Sequence, residues 1–440
     1  MNKLVKYISV LSISSFLMLQ GCATINQQKS ASDNLKVIQE LKSALQVDPN
    51  NFEALRDLGA IYHDSQQNKL ALNFLIKAFK KNPKDPKCIA YLGMTLEAQQ
   101  KNDLALKLYK RYSKLPLLSS YRKLMQGRYY LLTRKMIHDQ MRSLLAREEQ
   151  LGATQLSPQA VAIFPLEYQG KNQDHAHLGK GISEMMITDL SQVPGLKLVE
   201  RVRLQALMEE MALGQSGMMD ENTAPRLGKL LSAGKIIHGN YDTEGNKKLK
   251  IDVAYWDMIN NQSPQLNTKN ETLQNLFSLE KELVFNIIDN MGIELTPQQR
   301  QKIQFIPTQN MQAFMAYCMG LNKEDSGQFN EAAQYYQQAV QLDPGFKVAN
   351  QKLEMNEAVA VAQDSKDKYA MQMDNKDQKS APETSAKDLV SDRLQNLSTS
   401  IGANFIPGQD TRKSLEEVAE TGANIGLGNL PEPPPLPTSK

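Results

Sequence analysis

Ala160-Val-Ala-Ile-Phe-Pro-Leu166 is a continuous apolar run bounded by polar residues, and its length suits a buried strand better than a helix. After a polar loop, Leu178, Ile182, Met185, Met186 and Leu190 fall on one face of a helix. Leu196-Lys-Leu-Val-Glu-Arg201 reads as a short strand. It leads into a second helix with Leu204, Leu207, Met208 and Met211 on one side. Leu227, Leu230 and Leu231 mark a third helix, and Lys235-Ile-Ile-His-Gly239 a third strand. Beyond the turn Asp242–Asn246, Leu249, Ile251, Val253 and Tyr255 alternate with Lys250, Asp252, Ala254 and Trp256. That period of two predicts a half-buried strand paired with the third. Leu279, Leu283, Val284 and Ile287 define a closing helix over Leu276–Met291. Strands alternating with helices predict a layered α/β domain over 159–300.

The same stretch carries Val199-Glu-Arg201, Leu204, Glu209 or Glu210, Leu213, Ser216-Gly217, Asp220, Thr223-Ala224, Leu227-Gly-Lys-Leu-Leu231 and Gly239. In that order and spacing it resembles the soluble domain of CsgG-type lipoproteins. That family includes the curli secretion channel and flagellum-associated outer-membrane lipoproteins. The resemblance covers about a third of the chain and implies a place in a cell-envelope assembly, with oligomerisation known among relatives. Ser232 departs from the family, which usually has Gly before the third strand; the departure bears on that turn, not on the fold.

Working outward toward the N-terminus, residues 35–116 repeat at a period of 34, the length of a tetratricopeptide unit. Leu58-Gly59 returns as Leu92-Gly93 and Ala71 as Ala105. The full repeat, Leu55, Leu58, Gly59, Tyr62, Ala71, Leu75, Ala78 and Pro83, resembles that family position by position. Half a repeat precedes it (Leu41, Ala44, Pro49), and a degraded unit with Tyr109, Tyr112 and Pro116 follows. Such arrays hold extended or helical segments in a groove, and Arg56, His63, Met94 and Glu97 are the expected groove residues. Docking or oligomerisation without a groove ligand is the equal alternative. Residues 117–150 read as a helical connector. Its Arg128, Arg134, Lys135 and Arg142 are expected on a solvated face, with anionic lipid as the other option. Leu151–Gln159 reads as a linker.

On the other side, residues 310–361 form a second tetratricopeptide-like unit with Gly320, Gly327, Ala332, Tyr336, Ala339 and Pro344. The helix Phe346–Val361 is expected to cap it, because one repeat cannot bury its own core. Residues 362–440 turn polar and end in Pro431-Glu-Pro-Pro-Pro-Leu-Pro437. This reads as a disordered tail with a polyproline II end, either a tether or a ligand for an aromatic groove.

Residues 1–21 combine Lys3 and Lys6 with a short apolar run, the pattern of a signal peptide. Leu19-Gln-Gly-Cys22 resembles a lipobox, so Cys22 is the expected lipidation site and 22–34 a tether. Ala23, instead of Asp, favours the outer membrane in family terms. Three cysteines in 440 residues make no disulfide framework, and Cys88 and Cys318 read as core thiols. A net charge of +3 gives no footprint for nucleic acid.

Chemistry is sparse. His175-x-His177 beside Asp174 has no further ligand nearby and reads as a solvated loop. Glu200-Arg201 with Arg203 reads as ion-paired strand-end residues. Gly179 and Gly181 open no phosphate loop. No catalytic, cofactor or metal residues are expected, and no enzyme. The polar stretches Glu167–His177 and Asn260–Asn275 lack the apolar alternation of membrane strands, so the curli-type pore hairpins are expected to be absent.

The expected fold class is multidomain α+β: tetratricopeptide-type hairpins flanking a layered α/β domain, with a disordered tail. The expected protein is an outer-membrane-anchored periplasmic scaffold. Its partners are the membrane, through lipid, and proteins, through the repeats and α/β domain, with homo-oligomerisation open. The alternatives are a curli-type secretion channel component and an activator of a periplasmic cell-wall synthase.

Overall fold

A computed structural model describes residues 35–116, 119–151, 156–211, 223–244, 248–260, 262 and 265–364. The signal-peptide, tether and Cys22 expectations lie outside them, as do Leu213, Ser216, Gly217 and Asp220 and the expected tail from residue 365 on; its first residues, 362–364, are the end of a helix, with Ala362 buried. The chain divides into two compact units, one reaching Leu108 and the other beginning at Tyr109.

The first unit is helical: α1 (residues 35–47), α2 (Phe52–Asp64), α3 (Asn68–Lys81), α4 (Pro86–Ala98) and α5 (Asn102–Tyr109). The Asn51 side chain caps α2 by accepting the Ala54 N–H, and Asp85 caps α4 by accepting the Cys88 N–H at 2.7 Å. Capping of this kind satisfies amides that have no partner within the helix. Gly59 is required by close packing, since a Cβ there would lie 2.5 Å from Leu75 Cγ. Tyr62 stacks on Phe74 at 5.5 Å between centroids, and α3 stops at Lys81, before Pro83.

The second unit opens with α6 (Ser120–Ala146), then β1 (Ser157–Ile163), β2 (Glu167–Tyr168), α7 (Leu178–Leu190), β3 (Lys197–Leu198), α8 (Arg201–Glu210) and α9 (Thr223–Leu230). A meander of β4 (Ala233–Glu244), β5 (Lys248–Asp257) and β6 (Gln265–Thr272) follows. The unit ends in α10 (Leu276–Asn290), α11 (Pro297–Ile303), α12 (Met311–Asp325), α13 (Phe329–Leu342) and α14 (Lys347–Asp364). The sheet order is β3-β1-β4-β5-β6, with β2 also paired to β4. β1 is parallel to β3 and β4, whereas β4-β5-β6 is antiparallel.

Alternation along the strands divides two cores. Val161, Ile163, Ile237, Tyr241, Ile251 and Val253 face α7 and α10. Ala160, Ala162, Phe164 and Ile236 face α8 and α9. Helices on both faces of a mixed sheet are the layered α/β arrangement expected from the apolar runs.

Four expectations are corrected. The second strand is only Lys197–Leu198, because Glu200 is already the N-cap of α8 and Arg201 its first residue. The polar stretch after β5 does hold a strand: β6 pairs antiparallel with β5, Leu249 opposite Glu271 and Val253 opposite Leu266. Its sequence carries no apolar alternation, so periodicity could not signal it. The linker contributes Ser157–Gln159 to β1.

The fourth concerns the connector. α6 puts Ile137, Met141 and Leu144 into the core beneath α8 and α9, and crosses α14 so closely that a Cβ on Gly127 would lie 2.0 Å from the Ala358 carbonyl oxygen. It buries residues on two sides, so it shows no single apolar stripe. Of its basic residues, Lys135 and Arg142 are exposed as expected, paired with Asp139 and Glu210, whereas Arg134 turns inward and donates to the carbonyls of Glu324 and Asp325.

The hairpin α12–α13 is not a separate body either. Phe314, Tyr317, Cys318 and Tyr336 belong to the same core as α7 and α10. Phe277 meets Phe314 edge-on at 5.2 Å, and a Cβ on Gly181 would lie 2.2 Å from Cys318 Sγ.

Ser232 has φ +51° and is buried, and its Oγ has no hydrogen-bond partner. A left-handed conformation costs an L-residue about 1–2 kcal/mol, so Ser232→Gly should stabilise the second unit. Allowing for the extra freedom of glycine in the unfolded chain, the net gain is about 0.5–1 kcal/mol, readable as a higher urea midpoint. An unchanged or lower midpoint would contradict it.

Candidate functional site

Lys180 and Glu184 lie in the first two turns of α7, the helix that follows β1 and the short β2, and Arg201 opens α8 directly after β3. The backbone there is tightly held: Ser183 Oγ donates to the Phe164 carbonyl at 2.9 Å, and Gly179 sits against the Leu166 carbonyl. All three charged residues therefore stand at the carboxyl ends of the parallel strands, where open α/β sheets hold their ligands. Helix N-termini in this position favour anions.

The anions present are the chain's own. Glu324 and Asp325 end α12, and Gly327, at φ +73°, turns the chain into α13. Arg201 contacts Asp325, lies 3.3 Å from Glu184 through Nε and 3.6 Å from Glu324 through a terminal nitrogen. Lys180 Nζ lies 3.0 Å from Asp325 Oδ2. Glu324 Oε1 accepts from Lys352 at 2.7 Å and from Tyr130 at 3.1 Å; Oε2 accepts from Tyr336 at 2.8 Å and Asn356 at 3.1 Å. Burial pushes the Glu324 carboxyl up, but Lys352, Arg201 and these hydrogen bonds outweigh it and hold it at about 2. The Arg201 guanidinium also loses solvation, yet Asp325, Glu184 and Glu324 hold it firmly charged.

The Arg201, Glu184 and Asp325 side chains are each 4% exposed and that of Glu324 is 1% exposed. Chemically this is an anion-binding site that is already filled. The sequence singled out Arg201 and Arg134 but gave both local explanations. Glu324, Asp325, Lys352 and Asn356 escaped notice, because polar residues at a helix end look solvated and Arg201 is 124 residues from Asp325.

In the first unit, Arg56 bonds Asp57 at 2.8 Å and lies 3.5 Å from Asp85, while Lys87 lies 3.2 Å from Asp57. These form a mixed-charge row across α2 and α4. Two turns further along α2, His63 Nδ1 is 3.1 Å from Thr95 Oγ1, which itself donates to the Tyr91 carbonyl. The histidine nitrogen is therefore the donor. Glu97 is half-buried. Met94 is only 8% exposed and belongs to the core, which corrects its expected place as a groove contact.

His175 is also corrected: it is buried, with Nδ1 2.9 Å from Thr243 Oγ1, while Tyr241 donates to its carbonyl. Desolvation lowers its pKa. His177 is half-buried at the start of α7. Among the described residues, no three His, Cys, Asp or Glu are placed to hold a metal ion, and no helix is long and apolar enough to cross a membrane.

Residues 149–244 match the family model of the curli production assembly/transport component CsgG. The matched stretch begins just after α6 and runs through β4, and so includes Lys180, Glu184 and Arg201 but not α12–α14. No curated protein matches the chain.

Proposed function

We propose that this chain, with a CsgG domain at its centre, is an outer-membrane-anchored periplasmic lipoprotein that serves as a non-enzymatic assembly factor for a cell-envelope system. The family match at 149–244 carries the reading, since the family is described as an assembly and transport component. The filled crevice at the strand ends supports the non-enzymatic part, because the position where an α/β sheet would take a small molecule is occupied by buried carboxylates.

In this reading Cys22 takes acyl chains that hold the protein at the membrane, where a single chain would be insufficient. The helical hairpins of residues 35–108, read as tetratricopeptide repeats, recruit a protein partner through the face bearing Arg56, His63 and Glu97. The tail beyond residue 364 extends reach.

Cys22→Ala should abolish labelling of the protein by radioactive palmitate and remove it from the outer-membrane fraction, with cell-envelope assembly impaired although the protein is still made. Palmitate labelling of the variant equal to that of the wild type would refute Cys22 as the lipid anchor.

The word transport in the family description favours a second reading, an oligomeric secretion channel component. It requires membrane-spanning strands, and the described strand in the relevant polar stretch, β6, is eight residues long, short of the ~9–11 that span a bilayer.

A further inference from the structure

The Glu324–Asp325 dyad is held by a different chemistry from the rest of the α12–α14 contact. Around it the seam is apolar: Phe314, Cys318 and Tyr336 are buried among α7 and α10. At the end of α12, two carboxylates enter and meet cations supplied by two helix starts, Lys180 of α7 and Arg201 of α8. Arg201 is buried and reaches three carboxylates at once. An arginine with no anion beside it would not be tolerated there, since an unpaired buried charge is strongly unfavourable. Glu184 of α7 supplies one of these anions from within the crevice, and the hairpin supplies the other two.

We propose that the carboxyl-end crevice of the α/β sheet is a carboxylate-binding site whose ligand the chain carries itself, in the Glu324–Asp325 turn of the C-terminal hairpin. The hairpin is seated as a bound ligand is seated, by a charged tip between Lys180 and Arg201 and an apolar flank around it. The planar guanidinium of Arg201 suits carboxylates in particular, because its fixed fork pairs two oxygens at a time. The α/β domain is thus completed by residues outside the stretch that matches the CsgG model, and a free acidic segment has no access while the hairpin is in place.

Chemical rescue tests this on the full chain. Asp325→Ala keeps Glu324 and the hairpin but removes one carboxylate between Lys180 and Arg201. Thermal unfolding is followed in sodium formate, the smallest carboxylate, and in sodium chloride at matched ionic strength. Formate should raise the midpoint of Asp325→Ala saturably above the chloride value, as binding to the native state must. It should do neither for the wild type nor for Asp325→Ala combined with Arg201→Gln. Equal shifts in formate and chloride would mean screening by an adventitious ion only, and would overturn the proposal. If Asp325→Ala does not fold unaided, the readout becomes recovery of its helical circular dichroism in formate, and no recovery overturns it equally. Hydrogen exchange gives an independent check: formate should slow the amides at the end of α12 in the variant, and unchanged exchange there would count against the site.

Discussion

Arg201→Ala should lower the unfolding free energy of the second unit by about 3–5 kcal/mol, the range for removing one partner of a buried ion pair. The loss is not that of one contact. Glu184 and Asp325 would be left buried with their main countercharge gone; Asp325 would retain Lys180, and Glu324 would retain Lys352. Arg201→Lys should recover little of this, because an ammonium cannot span Glu184, Asp325 and Glu324 together. Urea unfolding of the full chain and both variants measures it, and a loss below about 1 kcal/mol, the range of exposed pairs, would contradict the buried network.

The pH dependence follows from the same residues. The Glu324 carboxyl is depressed to about 2 in the folded protein, below the ~4.3 of an unperturbed glutamate. Its contribution is therefore fully present above the unfolded value and is lost as pH falls from there toward 2. Glu324→Gln should flatten the stability curve in that window, even as it lowers stability at neutral pH. An unaltered acid limb in the variant would place the acid sensitivity elsewhere.

Phe314→Ala should cost about 3–5 kcal/mol, as large-to-small changes of buried aromatics do. Phe314 is fully buried, lies 5.2 Å from Phe277 of α10, and would sit 2.8 Å from a Cβ on Gly181 of α7. It stands at the seam between the hairpin and the α/β layers, so the cavity would weaken both together. Proteolysis of the variant should release no stable fragment ending before α12, and its unfolding should remain a single transition for residues beyond Tyr109. A surviving folded fragment of the α/β layers alone, with the hairpin digested, would show the hairpin to be an appendage.

The α/β domain was legible because its signals are local. Val161 and Ile163, Ile251 and Val253, and Leu178, Ile182 and Met186 each announce a face by spacing alone, and each is buried in the core. Gly59 and Gly320 were legible for the same reason, as small residues at fixed positions in a repeat; each would clash on gaining a Cβ, with Leu75 and Tyr336 respectively. β6 was not legible, because it is defined by pairing with β5 and not by an apolar face. α6 was read as a connector because burying Tyr130 toward Glu324 and Ile137 beneath α8 spreads its apolar residues around the helix.

The candidate site was the least legible part. Its members come from α6, α7, α8, α12, α13 and α14, and charges on separate helices carry no spacing that would connect them. Met94 failed for the opposite reason. Repeat position suggested a groove contact, but the helix is buried on enough of its surface to enclose it.

The reading as an assembly factor and not a pore is tested most directly by conductance. Purified full-length lipidated protein would be added to planar bilayers, with its mass in detergent followed by light scattering. The expected result is no stepwise current, whether the protein is a single chain or an oligomer. Discrete, reproducible channel openings from a defined high-order ring would contradict it and establish the secretion channel instead.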